Sequence, residues 1–478
     1  MKAEVTFLHP QPAHLSSTES ALATLQRAYQ TMPMPSARQR THWLGALRTL
    51  LVREQAAIIT AITADYGHRS ADEIRLGELL PSLESIRFAQ RRVNRWMKPV
   101  ARSVSLMFFP ARARVVYQPK GVIGIIVPWN YPLFLSIAPL VSALAAGNRV
   151  MLKMSEYTPA TGALLKTLLE RTFGPEMIHT VLGESDIGAA FSQLPFDHLV
   201  FTGTTHVGRQ VMRAAASNLT PVTLELGGKT PAIVGRDSNL VQAAERIAFG
   251  KNFNAGQTCV APDYVLIPRE RLQGFIDAYR AATTRLYPSL VDNPDYTSIA
   301  NEPQMKRLNN YLQDAAHKGA RFTTLYPLEQ NRGRCMAPVL LHDVTDNMLI
   351  MREEVFGPLL PLVPYDSLDD ALAYVNQRPD PLALYYFGHE RKAQQYVIEH
   401  THSGGVCLND TLLQCVQKDL PFGGFGASGM GHYQGREGFI QFSHTKAVLT
   451  KQGWSPIRWI YPPYSKPILR WVYRWMIR

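Results

Sequence analysis

The chain has 478 residues, 46% of them apolar and 18% charged, which fits a globular protein of roughly two or three domains and is too long for one ordinary core. Its formal charge of +12 is spread along the sequence, with no basic arm, finger or aromatic–basic motif, and this argues against nucleic-acid recognition. Cysteines 259, 335, 407 and 415 show no paired spacing and no zinc pattern, and residues 1–17 lack the apolar core of a secretory signal; together these predict a reducing, cytoplasmic setting and no metal site.

From Glu19 to about Met97 the pattern is helical, with Leu44, Leu47, Leu50 and Leu51, then Leu76, Leu79, Leu80 and Leu83, at three- and four-residue spacing. Arg91, Arg92, Arg95 and Lys98 in this stretch read as a solvated face. Short runs over 104–109 and 113–117, parted by Pro110, predict a hairpin that has to pair with another part of the chain or another subunit. Gly121 to Asn148 is uncharged and long enough to cross a bilayer. The Val122–Val127 run, the break Pro128-Trp129-Asn130-Tyr131-Pro132 and the restart from Leu133 to Gly147 predict instead a strand, a loop and a helix.

The alternation continues with strands over 149–153, 177–182 and 197–201 and helices over 159–171, 186–194 and 207–217. Such alternation predicts a parallel sheet covered on both faces, a usual home for a nucleotide. A second α/β region follows, with strands near 230–234, 264–267, 359–364, 383–387 and 405–409 and helices over 240–250, 269–285, 368–376 and 391–400.

The one G-x-G-x-x-G match, Gly424 to Gly429, lacks the strand before it and the acidic residue after it, so it is discounted as a dinucleotide fingerprint. Gly203 and Thr204 are better placed, between a strand and a helix start where a pyrophosphate can sit, and Lys153 and Glu156 follow another strand end with groups suited to ribose hydroxyls. Glu225 stands in an apolar strand before two glycines; burial there either tunes a general base or demands a structural partner. Cys259 follows Gly256-Gln257-Thr258 as a presented thiol, and Asn130 offers an uncharged amide donor from its loop. Thiol, carboxylate and amide are a nucleophile, a base for water and an oxyanion donor, the set that aldehyde oxidation through a thioester requires.

Pro128-Trp129-Asn130, Phe201-Thr202-Gly203, Glu225 to Lys229, Gly256 to Cys259, Glu354 to Pro358 and Pro421 to Gly424 resemble, in order and over most of the chain, the signatures of the aldehyde dehydrogenase superfamily. The resemblance implies a Rossmann-like NAD(P)-binding domain, a second α/β catalytic domain and a small β oligomerisation element. It implies an oxidoreductase in which Cys259 attacks the aldehyde, Asn130 and the Cys259 amide hold the oxyanion, and Glu225 activates water. Cofactor contacts are implied at Trp129, at Lys153 and Glu156 on the adenosine ribose, at Gly203 and Thr204 on the pyrophosphate, at Glu354 on the nicotinamide ribose and at Phe356 beside that ring. Thr204 stands where many relatives carry serine.

The implied division is 1–102, a helical lead-in with part of the cofactor domain; 103–118, an oligomerisation hairpin; 119–224, the NAD(P) domain; 225–410, the catalytic domain; 411–430, a return to the cofactor domain; 431–452, an oligomerisation segment; and 453–478, a basic-aromatic tail. Cys259 to Tyr264 is similar to the class 3 branch. Tyr66 to Ser70, Trp96 to Pro99 and Tyr461 to Tyr464 resemble the bacterial coniferyl aldehyde dehydrogenase subfamily, so an aromatic, coniferyl-type aldehyde is expected, with medium or long-chain fatty aldehydes the alternative. A transferase version that passes the acyl group to coenzyme A, and a non-catalytic binding protein on the same scaffold, are the rivals; Glu225 argues against the first and the complete chemical set against the second. Glu156 favours NAD, with NADP tolerated, and a homodimer is expected. In the tail, Arg470, Arg474 and Arg478 share one helical face among aromatic and aliphatic residues. A stretch this short cannot span a bilayer; it suits peripheral contact with the inner face of a membrane, cover for a substrate entrance, or packing on the protein body.

Overall fold

The computed structural model describes residues 13–105, 108–327, 333–451, 453, 458 and 460–477; most of the leader region 1–17 and Arg478 lie outside these. The lead-in is helical: α1 (Ala13–Thr31), α2 (Ala37–Arg53), α3 (Gln55–Tyr66), α4 (Ala71–Ile74) and α5 (Leu80–Trp96). Ser36 and Gln39 close a capping box at the start of α2, and Leu44, Leu47, Leu50 and Leu51 form its buried stripe. The second leucine set does not share one face. A π turn over Arg75–Leu79 joins α4 to α5 and shifts the helical register, so Leu79 is buried while Leu76 and Leu80 are 57% and 43% exposed.

The hairpin is displaced from its expected place. Strand β1 is Val100–Arg102, ahead of the 104–109 run, and pairs antiparallel with β2 (Arg112–Pro119) in a register that puts Val100 opposite Val115; residues 106 and 107 lie outside those described. The other edge of β2 carries β16 (Ser443–Thr450) along its full length, from Ser443 opposite Pro119 to Thr450 opposite Arg112. A ribbon with little core of its own is thus completed by a distant part of the same chain.

Five parallel strands follow: β3 (Val122–Ile126), β4 (Arg149–Lys153), β5 (Ile178–Val181), β6 (His198–Gly203) and β7 (Val222–Leu226). They lie in the order β7-β6-β3-β4-β5, with β15 (Gly429–Met430) antiparallel on β7. Helices α6 (Phe134–Ala146), α7 (Pro159–Phe173), α8 (Ser185–Ser192) and α9 (Thr205–Ala216) connect them. The uncharged run is therefore β3, a loop and the wholly buried α6, and among the described residues no helix is long and apolar enough to cross a membrane. The last turn of α6 is closed by Gly147 in the left-handed region and by buried Arg40, which donates to the Ala145 and Ala146 carbonyls at 3.0 and 2.7 Å.

The second sheet runs β10-β11-β12-β9-β8-β13-β14, from β8 (Pro231–Val234), β9 (Tyr264–Pro268), β10 (Arg321–Thr324), β11 (Val339–His342), β12 (Leu359–Tyr365), β13 (Leu384–Phe387) and β14 (Val406–Leu408). Only β10 is antiparallel to its neighbour. Its helices include α10 (Leu240–Asn252), α11 (Leu272–Leu286) and α12 (Glu302–His317). The short helices α13 (Leu349–Arg352), α14 (Leu368–Asn376), α15 (Arg391–Glu399) and α16 (Leu413–Val416) follow, then α17 (Gly435–Gln441) and α18 (Pro467–Met476). The sequence pattern leaves α12, β10 and β11 unassigned. In α12 only Leu308, Tyr311 and Ala315 are buried, and β10 is a mostly exposed edge, so neither carries strong periodicity.

Candidate active site

Strand order in the first sheet reverses between β3 and β6, and a crevice opens beyond the carboxyl ends of strands at such a switch point. Here a cleft of about 630 Å³ is lined by Trp129 and Asn130 after β3, Gly203 and Thr204 at the end of β6, Glu225 in β7, and Cys259, Glu354 and Phe356 from the second sheet's side. Two loops and one strand bring the thiol, amide and carboxylate into one space.

Cys259 is reached through a backbone that few residues tolerate. Asn254, Ala255 and Gly256 have φ of 53°, 51° and 75°, and non-glycine residues in that region are strained. The strain is offset by a dense set of bonds. Both Glu73 carboxylate oxygens accept from the Asn254 amide at 3.1 Å, and one also accepts from Thr297 at 2.6 Å. The Gln257 side chain donates to the Asn254 and Ser298 carbonyls and accepts from the Ala300 amide. At Gly256 a Cβ would fall 2.4 Å from the Gly357 carbonyl oxygen, so only glycine lets this loop lie against the Glu354–Phe356 loop.

Asn130 is 3% exposed. Its amide donates to the Gln257 carbonyl at 3.2 Å, and its own carbonyl accepts from Tyr66 and Asn254 at 2.9 and 3.1 Å. Tyr131 and Thr258 hydroxyls meet at 2.7 Å, tying the two loops beside the thiol. Beneath them lies a buried ion pair. Arg69 donates to Glu78 at 2.7 Å with both side chains 0% exposed, and Glu78 also accepts from the Leu133 and Phe134 amides at the start of α6. Glu78→Ala leaves Arg69 buried without its partner and is expected to cost about 3–5 kcal/mol. A lowered thermal midpoint with weakened turnover would check it; an unchanged midpoint would show the pair to be dispensable.

Glu225 sits between Thr202 of β6 and Gly429 of β15. It is 2% exposed and neither carboxylate oxygen has a hydrogen-bond partner. Burial pushes its pKa well above the ordinary carboxyl value. The Cys259 thiol is pushed up too, first by burial and then by repulsion from Glu354, Cys415 and Glu225. Tyr433, whose buried hydroxyl also lacks a partner, has its pKa pushed up by burial and then by Glu225, Cys259 and Cys415.

The cleft has the character of a dinucleotide site. Thr204 caps α9 by accepting from the Val207 amide at 3.4 Å, so a helix start and its dipole border the cleft. A Cβ on Gly227 would fall 1.9 Å from a Glu354 oxygen, so the glycine admits that carboxyl to the floor. The Glu354 pKa is raised to about 8, chiefly by burial and Asp263, against the pull of Arg307 and Lys229. Trp129 and Phe356 meet edge to face at 5.4 Å. Lys153 and Glu156 lie outside the cleft lining; Lys153, the last residue of β4, stands 3.7 Å from Glu156 in the following loop and is also bonded to the Met154 carbonyl at 2.8 Å. The helix start, the glycine floor and the buried Glu354 carboxyl together fit NAD(P).

Sequence reasoning missed Arg307 of α12, which donates to the Glu354 and Phe356 carbonyls at 3.1 and 3.2 Å and holds their loop. It also missed Glu73 and Gln257 as anchors of the strained turn. The partners of Glu73 are distant in the chain, and Gln257, although inside the Gly256–Cys259 motif, owes its anchoring role to Ser298 and Ala300 some forty residues on. The discounted glycine run does border the cleft: Ala427 lines it and accepts from Thr205 at 3.3 Å, while a Cβ on Gly429 would strike the Leu224 carbonyl oxygen at 2.1 Å. Its glycines serve close packing on β7.

The family model described as the aldehyde dehydrogenase family matches residues 3–448. A Pseudomonas aeruginosa protein named "Probable coniferyl aldehyde dehydrogenase" is 58% identical over 100% of both chains. The substrate-bound structure of Staphylococcus aureus AldH superposes with a TM-score of 0.90 at 36% identity, covering 96% of this chain and 99% of that one. A Mycobacterium tuberculosis aldehyde dehydrogenase complexed with NAD+ matches with a TM-score of 0.83 at 29% identity over 92% and 91% of the two chains. With such a match over nearly its whole length, the chain belongs to the aldehyde dehydrogenase family and is an NAD(P)-dependent oxidoreductase of small-molecule aldehydes.

Proposed function

We propose that the chain oxidises an aromatic, coniferyl-type aldehyde to its acid on Cys259, with Asn130 and Glu225 completing the site. The observation that carries the assignment of residues is the partnerless buried carboxyl of Glu225 in the same cleft as a partly accessible thiol. The Cys259 sulfur, on losing its proton, adds to the aldehyde carbon, and the Asn130 amide with the Cys259 backbone N–H stabilises the oxyanion that forms. When the C–H bond breaks with its electron pair, a thioester remains; bound NAD(P) supplies the acceptor for that hydride. Glu225 takes a proton from water as it attacks the thioester; when the C–S bond breaks, that proton passes to the departing sulfur, which releases the acid, returns the thiol and leaves Glu225 ionised again. Asn130→Ala is expected to lower kcat about 10²- to 10³-fold in steady-state assays while cofactor affinity holds.

Trp129, Gly203, Thr204, Glu354 and Phe356 are assigned to the cofactor from their places in the cleft. Lys153 and Glu156 are assigned to its adenosine ribose, where the Glu156 charge favours NAD. On this assignment the first sheet, with part of the lead-in and residues 411–430, is the cofactor domain, and residues 225–410 form the catalytic domain. The β1-β2-β16 ribbon joins two copies in a homodimer. The name of the P. aeruginosa relative supports the aromatic substrate. A panel of coniferyl, benzyl, hexyl and dodecyl aldehydes with NAD and NADP tests it: kcat/KM is expected to be highest for coniferyl aldehyde with NAD, and a dodecyl preference would overturn it.

We place the enzyme in the cytoplasm with its tail against an anionic membrane face. Among the described side chains of α18 only Leu469 is buried, while Trp471 and Trp475 are 65% and 70% exposed and stack at 6.2 Å beside Arg470 and Arg474. Aromatic and basic side chains so displayed suit an interface. Deleting residues 467–478 is expected to abolish cosedimentation with phosphatidylglycerol vesicles and leave hexanal oxidation intact; undiminished cosedimentation would free the tail of that role.

A further inference from the structure

The basic cluster at the end of α5, which reads as a solvated face in the sequence, lines a cavity of about 600 Å³: Arg92, Arg95 and Lys98 converge there with Arg436 of α17, more than three hundred residues later in the chain. Asp419 is the one carboxylate in the lining. Among the described residues no ion pair is formed by any of the four cations. Like charges held together repel one another, and the chain keeps four of them around one opening with a single carboxylate in the lining.

The wall of the cavity is aromatic. Trp96 is buried and packs on Phe88 and Phe439 at 5.9 and 5.7 Å, Tyr117 packs on Phe439 at 5.6 Å, and the Arg92 guanidinium lies 3.8 Å over the Phe88 ring. That stacking fixes the plane of the Arg92 fork and leaves its edge free to bond. Trp96 also bounds a small neighbouring cavity that holds Lys418. This lysine is 8% exposed, its ammonium has no hydrogen-bond partner, and it lies 4.9 Å over the Phe134 ring. A buried cation without a hydrogen-bonding acceptor is costly, and it adds a fifth positive group behind the same tryptophan.

We propose that this cavity is a second ligand site, separate from the catalytic cleft, for a phosphate-bearing anion whose apolar part rests on Trp96 and Tyr117. Arginine forks match phosphate oxygens two at a time, and the four-to-one excess of cations in the lining suits a multiply charged group better than a single carboxylate. Free phosphate compounds and phospholipid headgroups share this chemistry.

The test is calorimetric titration of the full-length enzyme, its catalytic cleft saturated with NAD, with inorganic pyrophosphate. Saturable binding is expected, weakened about tenfold or more by R95Q/R436Q and by raising salt to about 0.5 M. Unchanged aldehyde oxidation by the double variant would show that it folds. In a parallel arm the full-length protein is sedimented with phosphatidylglycerol vesicles. Pyrophosphate binding that depends on Arg95 and Arg436 assigns a soluble ligand. Vesicle retention that falls in the double variant although α18 is intact assigns a headgroup. Binding that is absent in both arms, or equal in wild type and a folded double variant, overturns the site.

Discussion

Cys259→Ala is expected to lower aldehyde-dependent NAD(P) reduction by about 10⁴-fold or more, because Cys259 supplies the one thiol in the cleft lining and with it the thioester route. Cofactor affinity and the thermal midpoint should stay near wild type: the turn before Cys259 is held by Glu73, Gln257 and Asn254 and not by the sulfur. The other thiols provide the control. Cys335, Cys407 and Cys415 are also free, but none of them lines the cleft, so none is a ready substitute. Activity that survives the substitution would remove Cys259 from the mechanism. Alkylation of wild type by iodoacetamide adds a second reading. Since thiolate is the reactive form and the Cys259 thiol is pushed up by burial and nearby acids, its rate should keep rising above the usual thiol range. A plateau near neutral pH would contradict that environment.

The parts of this site that were legible in the sequence are those carried by local patterns. The Val122–Val127 run, its Pro-Trp-Asn-Tyr-Pro break and the following apolar stretch specify β3, the Asn130 loop and α6 because a strand buried on both faces needs no alternation. Glu225 stood out because a carboxylate inside such a run is costly. What escaped depended on partners far away. The Glu73–Asn254 bond spans 181 residues and the Arg307–Glu354 bond 47, and neither glutamate nor arginine is unusual on its own helix. The displaced hairpin has a related cause: a run of strand-forming residues points to 104–109, but the strand that pairs with β2 is Val100–Arg102, while the other edge of β2 is taken by the distant β16. The π turn defeated leucine counting by inserting a residue into an otherwise regular repeat.

Glu225→Gln should separate the two halves of the reaction. Glutamine keeps the size of the side chain but cannot accept a proton, so formation of the thioester proceeds and its hydrolysis slows by about 10²- to 10⁴-fold. Rapid mixing is expected to show a burst of reduced cofactor near one equivalent per site and then a stall; the absence of both burst and stall would place another base at the water. If added coenzyme A restored turnover in the variant and accelerated wild type, acyl transfer would replace hydrolysis as the second half. The pH dependence follows from the same carboxyl. Burial raises its pKa well above the ordinary value, so the carboxyl ionises over a range above that of an ordinary carboxylate, and hydrolysis in wild type should climb as pH rises through it, a limb that the variant lacks. Stability runs the opposite way. An unfolded glutamate ionises near pH 4.3, whereas the folded one still holds its proton there, so above that pH the folded state binds more protons and loses stability as pH rises towards the folded pKa. Glutamine removes this loss, and the variant's thermal midpoint should exceed that of wild type by a margin that widens from acid to alkaline pH. A constant margin would mean that Glu225 is already ionised and paired in the fold. The isolation that makes the carboxyl a base is therefore also a cost to the fold, and one substitution measures both.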